Sequence, residues 1–312
     1  MKPLRVGVVG VGHIGKNHAR VYAESEISEL TAILDQNGDA AKKLAAKFGC
    51  VAVETLEEFV ELVDAASIAT PTPFHYPIGK QLLLAKKHLL IEKPITENVE
   101  HAYELADLAQ SNGVVLQVGH IERFNPVLGE LEKHLTRAQF IEAHRLSPYP
   151  DRSTEIGVVL DLMIHDIEVI LHLVRSEVTH VDSVGISVLS AREDIANARI
   201  RFANGCVANI TASRISPEKM RKIRVFQENA YLSLDYGNQS GEIYRLDNGK
   251  ISRDKVKIDK AEPLKRELES FIQCSREGAN PTVSGYQAAA ALELSLEITR
   301  QIEQQNAARN IG

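Results

Sequence analysis

The sequence predicts a two-domain α/β protein: a parallel, doubly wound sheet first, then an α+β domain with an open, mostly antiparallel sheet. Three observations carry this. Residues 4–119 alternate short apolar runs with helical stretches, the pattern of right-handed βαβ crossovers. From 178 to about 258, strands follow one another with turn signals between them, Asn204-Gly205 above all, which marks antiparallel pairing. The length of 312 residues exceeds what one hydrophobic core usually serves. The expected division is 1–120 and 121–312, with the last helix able to pack back toward the first domain.

Each element has its own signal. The apolar run LRVGVV (4–9) meets a glycine turn at Gly10–Gly15 and then a helix over 15–25; ELTAIL (29–34) precedes an amphipathic helix that closes at Gly49. A strand at 51–53, a helix at 56–62 and the run AASIA (65–69) follow. Next come a helix near 76–86, the strand HLLIE (88–92), a helix near 98–111 and the strand VVLQVG (114–119). Beyond Gly119 the sequence reads as a helix at 126–134, a strand at 138–146, a polar loop and the apolar helix VVLDLMIHDIEVILHLV (158–174). The stretch from 284 to 308 reads as an alanine-rich amphipathic helix.

Composition narrows the function. A formal charge of −6 with scattered basic residues argues against a nucleic-acid binder. The apolar stretches are too short or too interrupted by lysine and glycine for a membrane span or a secretory signal. Three dispersed cysteines, Cys50, Cys206 and Cys274, suit a reducing cytoplasm and packing roles rather than disulfides or a zinc ribbon.

The GxGxxG at Gly10-Val11-Gly12-His13-Ile14-Gly15 directly follows a buried-type strand and opens a helix. In that context Gly10 permits the tight turn, Gly12 admits a pyrophosphate and Gly15 lets helix and strand approach, while the helix-start amides face the anion. Asp35 ends the second strand, where a carboxylate accepts ribose hydroxyls and repels a 2′-phosphate. No arginine follows in DQNGD, so NAD is expected over NADP.

Two further clusters carry chemistry. Glu92-Lys93-Pro94 closes the fifth strand, at the sheet edge where ligands sit, and Pro94 holds Lys93 extended. At the fourth strand end, Thr70-Pro71-Thr72-Pro73-Phe74-His75 offers a hydroxyl and an imidazole, so Thr70, Pro71, His75, Glu92 and Lys93 join the glycine turn as cofactor-side residues. On the apolar helix Asp161 and His165 lie four apart, on one face. His165 can move a proton near neutral pH with Asp161 orienting it. A metal face of His165, Glu168 and His172 and a purely structural Asp–His pair are the competing readings, and Asp166 and Glu168 look like the solvated side of the helix. No metal is expected.

Taken together, GVGHIG, Asp35, ATPTPFH, EKP and DLMIHD resemble the Gfo/Idh/MocA oxidoreductases over essentially the whole length. The resemblance implies a catalytic set of Lys93, Asp161 and His165: His165 takes the proton of a sugar hydroxyl, Lys93 hydrogen-bonds the reacting oxygen, and Asp161 binds a hydroxyl or orients His165. It also implies a homodimer or homotetramer formed through the second sheet. Many relatives have glycine where this chain has Met163, which bears on the shape of the substrate pocket.

VGHIERFNP (118–126) and RLSPYPDR (145–152) look like segments of the branch that oxidises the 3-hydroxyl of UDP-N-acetylglucosamine. On that basis Arg145 and Arg152 are expected to meet a diphosphate, and Arg123 and Asn125 a sugar. The alternatives are a free-sugar or inositol dehydrogenase and, from another class, a redox-inert NAD-binding regulatory protein.

Overall fold

The computed structural model describes residues 2–149, 155–247 and 249–309. The chain forms two compact units, one of Met1–Ile121 with Glu262–Ala290, the other of Glu122–Ala261 with Ala291–Gly312.

The first unit runs β1 (Leu4–Val9), α1 (Gly15–Glu24), β2 (Ser28–Leu34), α2 (Gly38–Phe48), β3 (Val51–Val53), α3 (Leu56–Leu62), β4 (Ala65–Ile68), α4 (His75–Leu84), β5 (His88–Glu92), α5 (Val99–Asn112) and β6 (Leu116–Gly119). All neighbouring strands pair in parallel, in the order β3-β2-β1-β4-β5-β6. This is the doubly wound arrangement whose ligand crevice opens where the order reverses, between β1 and β4. The strands are apolar because both faces are covered: Ala65, Ala66, Ile68, Leu89, Leu90 and Ile91 are fully buried. Helix ends match their local chemistry. Asn37, Thr55 and Asn98 accept from the first turns of α2, α3 and α5, and Gly49 and Gly113 close α2 and α5 in the left-handed region.

The second unit runs α6 (Pro126–His134), β7 (Phe140–Leu146), α7 (Ile164–Val174), β8 (Val178–Ile186), β9 (Ile195–Phe202), β10 (Val207–Ser213), β11 (Met220–Gln227), β12 (Ala230–Asp235), β13 (Ser240–Asp247) and β14 (Lys250–Val256). Its sheet has the order β14-β13-β12-β11-β7-β10-β9-β8. Every pairing is antiparallel except β7 with β10. The alternation of the strands places Ile141, Ala143, Ile210, Ile223, Val225 and Leu232 on one face, packed with Val159, Ile167 and Ile170 in a single core. The Asn204-Gly205 turn joins β9 to β10, with Gly205 at a φ of 89°.

Two elements differ from the sequence reading. Residues 263–277 form α8 (Pro263–Glu277), an unanticipated helix that belongs to the first unit although it lies beyond residue 120. Its apolar stripe of Leu268, Phe271 and Ile272 is buried beside Val6, Val8, Tyr22 and Leu90, and that burial assigns it there. The last helix, α9 (Gly285–Arg309), begins in the first unit and continues in the second. There Gln301, Gln305 and Asn306 donate side-chain amides to the carbonyls of Val181, Ser183 and Gly185 on the outermost strand β8. Among the described residues no helix is long and apolar enough to cross a membrane.

Candidate active site

In the first unit, the turn after β1 is built for close approach. Gly10 has a φ of 88°, and a side chain on it would meet the Ala69 carbonyl group at 2.8 Å. A Cβ on Gly15 would lie 1.8 Å from the Gly10 carbonyl oxygen, so only glycine lets α1 start against the strand. Asp35, just past β2, holds this turn from the side: its carboxylate accepts from the amides of Val11 at 2.6 Å and Asn37 at 2.7 Å. A cavity of about 450 Å³ opens here, lined by Gly10, Gly12, Asp35, Thr70, Pro71 and Phe74 among others.

These residues fit a dinucleotide. The space above Gly12 is open, with nothing within 4 Å of where a Cβ would stand. The hydroxyl of Thr70 is buried with no hydrogen-bond partner among the described residues. The fixed Asp35 carboxylate retains lone pairs for ribose hydroxyls. His13 and Ile14, also expected on the cofactor side, are exposed at the start of α1.

His75 corrects the sequence reading. Its ring is buried, with Nδ1 2.9 Å from the Pro94 carbonyl oxygen and Nε2 2.8 Å from that of Thr70. The imidazole is therefore spent on joining the loops after β4 and β5 and is not presented to a cofactor. Burial, against the pull of the carbonyls, lowers its pKa. Glu92 is likewise engaged internally, by Nε2 of the fully buried His18 at 3.1 Å and by the amide of Lys93 at 3.2 Å. His18 escaped the sequence reading; its spacing from the glycine turn is the only sequence signal it gives. Lys93 stands at the C-terminal end of β5, half-buried, with a cis peptide to Pro94.

In the second unit, the helix with Asp161 and His165 starts with a π turn over Val159–Met163 and becomes α-helical from Ile164. Between Gly157 and Ile170 only Leu160, Asp161, Leu162 and His165 are not buried. Asp161 and His165 thus share the accessible side, Asp161 within the wider π turn and His165 just beyond it. Met163, expected to bear on the shape of the substrate pocket, is fully buried in the core.

The sequence expectations for the flanking charges are overturned. Asp166 and Glu168, read as solvated, are each 2% exposed. Arg145 is 4% exposed and grips Asp166 through Nε at 2.8 Å and Nη2 at 3.0 Å, while its Nη1 donates to Glu122 at 2.9 Å. Arg123 donates to Glu168 at 2.6 Å. Asn125 caps α6, accepting from Val127 and donating to Glu122 and the Tyr236 carbonyl. Arg123, Asn125 and Arg145 are therefore internal fixtures behind the Asp161–His165 helix rather than ligands for a sugar diphosphate. Buried charges cost too much to leave unpaired, and these have found each other. Arg152 lies outside the described residues. Two of the three residues of the weighed metal face are otherwise occupied: Glu168 by Arg123, and His172 by Glu132. Among the described residues no cluster of metal-ligating side chains occurs.

A doubly wound domain with a glycine turn and a ribose-side carboxylate, coupled in one chain to a sheet domain presenting an accessible Asp–His pair, defines a dinucleotide-dependent oxidoreductase. Comparison with known proteins gives the particular family. Residues 4–120 match the oxidoreductase family with an NAD-binding Rossmann fold, and residues 131–233 match the GFO/IDH/MocA C-terminal domain. The chain belongs to the Gfo/Idh/MocA family. It is 38% identical over 276 residues to UDP-N-acetylglucosamine 3-dehydrogenase of Acidithiobacillus ferrooxidans, covering 86% of this chain and 88% of that one. A solved structure of an enzyme of that name from the same organism superposes with a TM-score of 0.93 at 34% identity, covering 97% and 99% of the two chains. The scyllo-inositol 2-dehydrogenase (NAD(+)) of Bacillus subtilis is 26% identical over 324 residues, 95% of this chain and 93% of that one.

Proposed function

We propose that this chain oxidises the 3-hydroxyl of UDP-N-acetylglucosamine with NAD. The similarity to the Acidithiobacillus enzyme carries this reading, since it spans nearly the full length of both chains at 34% identity and a TM-score of 0.93. The arginines first expected to hold the substrate do not support it: Arg145, expected at the diphosphate, and Arg123, expected at the sugar, are paired internally.

When bound, the nicotinamide supplies a two-electron acceptor for the hydride of the sugar carbon. The chain's own residues do the rest. The glycine turn and the start of α1 receive the pyrophosphate, and Asp35 accepts ribose hydroxyls. His165 accepts the hydroxyl proton, Asp161 orients His165 or holds a neighbouring hydroxyl, and Lys93 donates a hydrogen bond that stabilises negative charge on the reacting oxygen. The test is turnover of UDP-N-acetylglucosamine with NAD, followed by NADH absorbance and product mass, beside myo-inositol and free N-acetylglucosamine. NADH with the nucleotide sugar, and a product lighter by one H₂, is the expected result. Preferential turnover of inositol overturns the substrate, and NAD binding with no turnover of any alcohol overturns the enzyme reading.

The same reading includes a homo-oligomer assembled through the second sheet. On the face opposite the core, Phe140, Phe226, Tyr231 and Tyr244 are direct cross-strand neighbours, with ring centroids 5.5, 4.7 and 5.1 Å apart in succession. Arg253 lies over Tyr244 at the end of the row. A continuous half-buried aromatic ladder is the composition of an interface centre. Sedimentation of Tyr231→Glu checks it, with dissociation expected and an unchanged assembly refuting it. A cytoplasmic site of action is supported by the three unpaired cysteines.

A further inference from the structure

The segment entering the Asp161–His165 helix is held by a polar post 34–58 residues further along the chain. Asp194 is fully buried; its Oδ2 accepts the amides of Val188, Leu189 and Ser190 at 2.6–3.0 Å, and its Oδ1 accepts from Arg214 Nε at 2.8 Å. Arg214, 1% exposed, also donates to the Ile156 carbonyl at 2.7 Å. The neighbour of Asp194, Glu193, is thereby fixed in place. Its backbone carbonyl accepts from Val158 at 3.0 Å, and its side-chain Oε1 accepts from Val159 at 3.3 Å. That carboxylate occupies the space a side chain at 157 would need: a Cβ on Gly157 would stand 1.8 Å from Glu193 Oε1. The π turn begins at this point, and Asp161 donates its amide to the Gly157 carbonyl.

We propose that Glu193 is a positioning residue for the reaction: seated in the gap left by Gly157, it caps the first amides of the catalytic helix and fixes the π turn that aims Asp161. The inference rests on the catalytic reading of Asp161 above. What it uses is the reach of the Oε1 acceptor rather than its charge. Burial pushes the Glu193 carboxyl up, against the amides that favour ionisation, and so works against a need for charge. Aspartate keeps the charge but withdraws the acceptor by one methylene, whereas glutamine keeps the acceptor and loses the charge.

The test uses the full chain with Glu193→Asp, Glu193→Gln, Asp161→Asn and the Glu193→Asp/Asp161→Asn double variant, read for kcat and KM with UDP-N-acetylglucosamine, NAD Kd and Tm. Expected are a kcat lower by about tenfold to a hundredfold in Glu193→Asp, near-parent kcat in Glu193→Gln, unchanged NAD Kd in both, and no further loss in the double variant. Gly157→Ala, which displaces the carboxylate without altering Glu193, reproduces the kcat loss if Glu193→Asp fails to fold. Parent-like kcat in Glu193→Asp and Gly157→Ala while Asp161→Asn is impaired overturns the proposal alone. So does equal damage from Glu193→Gln, or losses that multiply in the double variant. Parent-like kcat in Asp161→Asn overturns the catalytic reading of Asp161 itself, and with it the route through which Glu193 acts.

Discussion

Nε2 of His18, in the helix that follows the glycine turn, lies 3.1 Å from Oε1 of Glu92, at the end of the strand that delivers Lys93. Burial works against the Glu92 charge, but the His18 bond together with the charges of His18 and Lys93 outweighs it and holds the carboxyl below its ordinary value. A carboxyl depressed on folding contributes stability that is fully present above its unfolded pKa of about 4.3 and is lost as pH falls through the folded value. Glu92→Gln is therefore expected to flatten the acid side of the stability curve. His18→Ala, which takes one partner from the partly buried Glu92 carboxylate, is expected to cost about 1–3 kcal/mol at neutral pH in urea unfolding.

Asp35 grips the glycine turn, and in the proposed function its carboxylate also repels a 2′-phosphate. Asp35→Ser is expected to lower kcat/KM with NAD by about tenfold or more while raising the relative use of NADP. An unchanged ratio of the two cofactors refutes the selector role.

Lys93→Ala is expected to lower kcat by roughly 10²–10³-fold, the usual loss for one donor to a developing oxyanion. NAD affinity, measured by calorimetry, should stay within about twofold. Equal loss of NAD binding would make Lys93 a cofactor ligand instead.

Arg145 separates structure from recognition. Arg145→Ala leaves Glu122 and Asp166 buried without their cation, so a loss of about 3–5 kcal/mol in stability is expected. KM for the nucleotide sugar in the folded fraction should be nearly that of the parent. A large rise in KM without loss of stability would return Arg145 to the substrate.

What could be read from the sequence was local. The glycine turn, Asp35 and EKP declare themselves through neighbours a few residues away, and the strands of both sheets through their period. The roles of Asp166 and Glu168 could not be read this way. On the helix alone they are polar residues of a face, and only the fold brings Arg145 and Arg123 against them from distant positions. The same holds for His75, whose partners Thr70 and Pro94 sit on two separate strand ends. The π turn had no signal at all, since it depends on a carboxylate supplied by Glu193 from another hairpin. Helix α8 was not anticipated, although Pro263 opens it, Gly278 closes it, and its apolar spacing is helical. What the sequence could not tell was which unit would bury it.

The side-chain amides that α9 lays along β8 have a consequence for colloidal behaviour. An outermost strand with bare carbonyls invites another chain to extend the sheet. Here Gln301, Gln305 and Asn306 occupy those acceptors on β8, and the opposite margin, β14, carries the charges of Lys250, Arg253, Asp254 and Lys255. With both margins blunted, open-ended strand addition to this sheet is disfavoured.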